Sequence, residues 1–144
     1  MPIAFEYNDG GRAQAGYKGQ ANDCVVRAIA IATEQPYKKV YKELHALNRK
    51  NNGRYLGGRN PSPRNAGTAM RTIKEYLAEL GWKWTPTMGI GTGCTVHLHS
   101  KELPAGRIIV RVSKHMAAVI DGVVHDTYQP DRDGSRAVYG YFTK

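Results

Sequence analysis

The chain has 144 residues, 41% hydrophobic and 23% charged, with a formal charge of +9 from 21 Lys and Arg against 12 Asp and Glu. These values describe one globular domain spanning residues 1–144, which at this size buries roughly two-thirds of its unfolded surface without needing disulfide or metal staples. They exclude coiled coil, collagen and wholesale disorder, and they raise nucleic-acid binding as a first expectation, because Lys and Arg displace phosphate counterions.

Residues 1–23 are Gly-rich and without a sustained period, and read as an irregular arm leading into the first helix. The N-terminus lacks the basic and apolar regions of a signal peptide, so the expected location is the cytoplasm. Cys24 to Thr33 is apolar on nearly every side except at Arg27, the pattern of a helix at the centre of a domain, with Asn22 and Asp23 as N-cap candidates. Pro36 opens a second helix, in which Tyr37, Val40, Tyr41, Leu44 and Leu47 recur at helical spacing.

Between Arg49 and Arg64 lie five basic residues, Arg49, Lys50, Arg54, Arg59 and Arg64, and no acidic one. Taking them from +9 leaves +4, so the excess charge sits in one Gly- and Pro-rich loop over 49–67. This loop is the candidate surface for nucleic acid or an acidic protein. Thr68 then caps a third helix that carries Met70, Ile73, Tyr76, Leu77 and Leu80 and stops at Gly81.

After Gly81 the pattern changes to strands. Trp82-Lys-Trp-Thr alternates, and its two tryptophans line either one face or a groove; Thr95 to His99 is a candidate short strand. The stretch from Thr85 to Ser100 has no charge but is rich in Gly and Thr, which excludes a membrane span. Arg107–Ser113, His115–Ile120, Val123–Tyr128 and Ala137–Thr143 are the stronger strands, and Asp121-Gly122 is a hairpin turn. The expected fold class is α+β, with a helical half over 24–81 packed on an antiparallel β-sheet half over 82–144.

The two cysteines, Cys24 and Cys94, lie 70 positions apart in unlike contexts, which fits reduced thiols rather than a bridge. Cys24 stands at the start of a buried helix, where unpaired N–H groups and the helix dipole favour the nucleophilic thiolate. If Asp121 and Gly122 form the hairpin loop, His115 faces Tyr128 and Ala117 faces Asp126. His115 and Asp126 then share one strand face as diagonal neighbours, and His125 points to the other. A carboxylate at that offset holds an imidazole in one tautomer and stabilises its charged form. Cys94, His97 and His99 are of metal-ligand type, but no complementary pair of ligands is evident, so no metal and no cofactor is expected.

The order of a Cys at a helix start, a His at a strand start and an Asp on the next strand resembles the papain-like cysteine peptidase superfamily. Asp23-Cys24 before an apolar helix, with His115-Met-Ala-Ala-Val-Ile-Asp-Gly later, is similar to its compact bacterial and phage branches, which include bacteriocin-processing and NlpC/P60-like enzymes. The resemblance implies a papain-like fold and a peptidase, isopeptidase or amidase acting on a peptide or protein, with a bacterial host as the setting if the protein is phage-encoded. It also implies roles: Cys24 as nucleophile, His115 as general base and then acid, and Asp126 as the orienting group, with His125 as the rival for that third place. Gln20 or Asn22 would complete an oxyanion hole with the backbone N–H of Cys24. The alternative expectation is a binding protein on the same scaffold, engaging its partner through Arg49, Arg54, Arg59 and Arg64.

Overall fold

Val, Ile and Ala fill the first helix, α1 (Cys24–Thr33), and its β-branched residues are poor helix formers in isolation; burial is what holds them, since every residue from Val25 to Ala32 is buried. A computed structural model of the chain describes residues 3–16, 24–50, 70–87, 96–99, 102–112, 115–127 and 136–144. At the end of α1 the chain turns through Glu34 in the left-handed region (φ 61°). The Arg107 guanidinium donates to the terminal carbonyls of Ile31 (2.6 Å) and Ala32 (3.0 Å), a cation placed where the helix dipole is negative.

Helix α2 (Tyr37–Lys50) buries Tyr37, Val40, Leu44 and Asn48, one face at helical spacing. Helix α3 (Met70–Glu79) buries Thr72, Ile73, Tyr76 and Leu77, and the Thr72 hydroxyl donates to Asn48 Oδ1 (2.7 Å) to tie it to α2. Gly81 ends α3 as the sequence predicts, at φ +86°. Its N–H donates to the Ala78 carbonyl while that of Trp82 donates to Leu77, the paired bonds of a Schellman cap. Among the described residues no helix is long and apolar enough to cross a membrane.

Six strands form one sheet: β1 (Ala4–Tyr7), β2 (Lys83–Pro86), β3 (Arg107–Val112), β4 (His115–Ile120), β5 (Val123–Asp126) and β6 (Val138–Thr143), in the order β1-β5-β4-β3-β6-β2. All neighbours are antiparallel except β1, which lies parallel to β5. The sheet is therefore mixed, which corrects the expected antiparallel one, and the N-terminal arm contributes its edge strand. The four residues of β1 are all exposed, Phe5 and Tyr7 included, so the strand is held by its pairing rather than by burial; Ile3, buried just before it, anchors the arm. The α+β class stands, with three helices and this sheet.

Both sheet faces are covered. The helices pack on one, against Ile109, Met116, Ala118 and Phe142. Ile108, Val110, Val112, Ala117, Val119, Val124 and Val138 form a second core on the other, closed by Ile3 and Leu98. The expected strand at Thr95–His99 is, within the described 96–99, a single bridge from His97 to Ala137. Leu98, wholly buried, plugs the second core there. Both tryptophans belong to the helix-side core, and Trp84 packs on Phe142 with ring centroids 4.8 Å apart, over Gly140; Trp82 also lines a pocket with Arg107 and Thr143.

Candidate functional site

A type I′ turn needs two consecutive residues at positive φ, and Asp121 (φ 48°) and Gly122 (φ 81°) supply them. The Asp121 carboxylate accepts the Gly106 N–H at 2.7 Å and its own N–H donates to the Gly106 carbonyl at 3.0 Å, which pins the turn to the approach of β3. The register is the predicted one, Ile120 with Val123, Val119 with Val124 and Ala118 with His125. His115 at the start of β4 and Asp126 at the end of β5 thus come to the same end of the sheet, just beyond the last of these pairs. Outer neighbours hold their backbones: Val112 of β3 pairs with His115, Tyr7 of β1 pairs with Asp126, and Asn8 donates its N–H to the Asp126 carbonyl at 2.9 Å.

The two side chains meet directly. His115 Nε2 lies 2.5 Å from Asp126 Oδ2, and the residues are 6% and 3% exposed. His115 also hydrogen-bonds Cys24, the half-buried first residue of α1. Burial pushes the His115 pKa down. The hydrogen bonds to Asp126 and Cys24 and the charges of both more than offset this, raising it to about 9. At neutral pH the ring is an imidazolium between two acidic groups.

Asp126 has a further cationic partner. Its Oδ1 accepts the Thr127 N–H at 2.7 Å and faces Arg27 Nη2 at 3.3 Å, from one turn along the same helix as Cys24. Arg27 is 8% exposed. The turn of the arm packs on it: Gly10, at φ +70°, comes so close that a Cβ would sit 3.2 Å from the Arg27 Cα and carbonyl oxygen. Arg27 is the site residue that the role assignment omits. Its signal was visible as the one charge in an otherwise apolar buried helix.

The structure thus brings Cys24, His115 and Asp126 together. His125 lies apart, its Nδ1 3.2 Å from Glu6 Oε2 across the β1–β5 pair, and Asp126 is the carboxylate beside His115. Gln20, Asn22, Cys94, Tyr128, Arg54, Arg59 and Arg64 lie outside the described residues; Arg49 is exposed in the last turn of α2. His97 pairs with Glu102 at 3.2 Å on the surface, and among the described residues no three His, Cys, Asp or Glu side chains converge to hold a metal ion.

The architecture is that of an α+β protein in which a half-buried thiol lies beside a buried His–carboxylate pair. No family model matches the chain, and no curated protein or solved structure is significantly similar to it.

Proposed function

We propose that the protein is a cysteine-dependent hydrolase of amide bonds in peptides or proteins. The observation that supports this best is the position of His115, hydrogen-bonded at once to Asp126 and to a thiol at a helix N-terminus. The likeness to compact papain-like cysteine peptidases rests on the same three residues in the same chain order.

In this reading the Cys24 thiolate attacks the substrate carbonyl carbon, forming a C–S bond and moving an electron pair onto oxygen. The backbone N–H of Cys24, free of any partner in its own helix by position, is one donor to that oxyanion, and Gln20 or Asn22 supplies the second. Collapse of the intermediate breaks the C–N bond while the His115 imidazolium gives its proton to the departing nitrogen. Neutral His115 then takes a proton from water, whose oxygen attacks the thioester. The C–S bond breaks, the carboxylic acid product leaves, and the thiolate and imidazolium are restored. Asp126 keeps the ring aimed through both halves and balances its charge.

A thiol-directed activity probe at neutral pH is expected to label Cys24, with labelling reduced at least roughly a hundredfold in His115→Ala, the usual contribution of a positioned acid–base group. Labelling at Cys94 instead, or no response to His115→Ala, would overturn the reading. Cleavage products present in a lysate treated with the protein, and lost with Cys24→Ala, would define the bond attacked.

A further inference from the structure

We propose that Arg27 is a positioning residue of the site: it holds Asp126 Oδ1 so that Oδ2 stays on His115, and its charge makes the set of four groups electrically neutral. The inference rests on the hydrolase reading above and assigns a function to a residue outside its three-residue machinery.

Three features carry it. Cys24 and Arg27 are three residues apart on α1, so one helix turn presents the thiol and the guanidinium to the same end of the sheet. Asp126 divides its two oxygens between them, Oδ2 toward His115 at 2.5 Å and Oδ1 toward Arg27 at 3.3 Å, so the carboxylate plane is fixed from both sides. The charges also balance: thiolate, imidazolium, carboxylate and guanidinium sum to zero. With Arg27 neutralised, the working form of the site would carry a net negative charge beside its buried His115–Asp126 pair, a state that burial disfavours against the proton-bearing one.

Other charged groups nearby have partners of their own. From β1, Glu6 pairs with His125, which strand alternation puts on the opposite face of β5 from Asp126. From the turn that packs on Arg27, the Asp9 carboxylate accepts the N–H groups of Gly11 and Ala13. Arg12, in the same turn, lies near Asp9, so among the described residues the four named groups are the ones that couple directly at the site.

A structural explanation for Arg27 makes a different prediction. Replacing a buried ion-pair partner with an apolar side chain of similar size alters packing and stability, but it has no reason to move a thiol's reactivity along the pH axis.

The test is the rate of iodoacetamide alkylation at Cys24, followed by mass spectrometry across the acid-to-alkaline range, for the wild type, Arg27→Met, Arg27→Gln, Arg27→Lys and His115→Ala. The neutral variants are expected to shift the rising limb to higher pH, losing roughly tenfold in rate on the acid side, as a displacement of one pH unit implies. They should converge on the wild type at the alkaline end, and Arg27→Lys should restore most of the acid-side rate. A limb unmoved in the neutral variants overturns the proposal, as does failure of both to fold. If His115→Ala itself leaves wild-type reactivity unchanged, it is the hydrolase reading that fails; if His115→Ala lowers the rate and the Arg27 variants leave the limb in place, only the present inference does.

Discussion

The charge on His115 makes stability depend on pH in a direction that can be worked out. The ring moves from its ordinary 6.5 to about 9 in the folded chain, because burial, which lowers it, is outweighed by the hydrogen bonds and charges of Asp126 and Cys24 together. A folded value above the unfolded one means the folded state holds the proton more tightly. The stabilisation is therefore fully present below about pH 6.5 and is lost as pH rises through about 9. The difference corresponds to on the order of 3 kcal/mol, a sizeable share of the total for a domain of this size. Urea unfolding monitored by circular dichroism at a series of pH values, for the wild type and His115→Gln, isolates this term, because background titrations common to both cancel in the difference. The wild type should exceed the variant most on the acid side and lose that advantage on the alkaline side, by about 3 kcal/mol in all. A difference that is flat, or that grows with pH, would refute the coupling of His115 to its acidic neighbours.

Three substitutions test the framework around the site. Gly140→Ala would put a Cβ 2.3 Å from Trp84 Cη2 and 2.8 Å from the Thr85 carbonyl, and a loss of about 2–3 kcal/mol in thermal unfolding is expected. Arg107→Ala strips the donors from the Ile31 and Ala32 carbonyls and should cost about 1–3 kcal/mol while leaving probe labelling of Cys24 intact, since those carbonyls lie at the other end of α1. Gly10→Val forces a branched side chain into the left-handed region against the Arg27 backbone. It should loosen the arm, and faster hydrogen exchange at the Asn8 N–H, which bonds the Asp126 carbonyl, would report it.

The parts of this fold legible in the sequence are those governed by short-range rules. α1 has the predicted bounds because a run apolar but for Arg27 starts at Cys24, and the β4–β5 register follows from two turn residues able to take positive φ. That register, with strand alternation, was enough to place His115 beside Asp126 and to put His125 on the other face of its strand. What escaped was set by distant parts of the chain. β1 is stabilised by backbone pairing to a strand formed by residues 123–126, and its exposed side chains carry no trace of that partner. Arg27 stood out as a charge in an apolar helix, but its ion partner comes from β5, so helix periodicity alone could not name it.

The parallel pairing of β1 with β5 also sets the order in which a growing chain can complete its fold. Ala4 pairs with Val123, so the first strand to emerge must wait for almost the last. At roughly 5–20 residues per second that wait is roughly ten seconds, during which Cys24 has already been synthesised without His115 or Asp126. Cys24, His115 and Asp126 therefore come together in one late event, when the Asp121-Gly122 hairpin closes and the N-terminal arm lies down beside it. A nascent chain stalled before that hairpin would carry Cys24 and Arg27 on their helix but not the Asp126 carboxylate that joins Arg27 to His115.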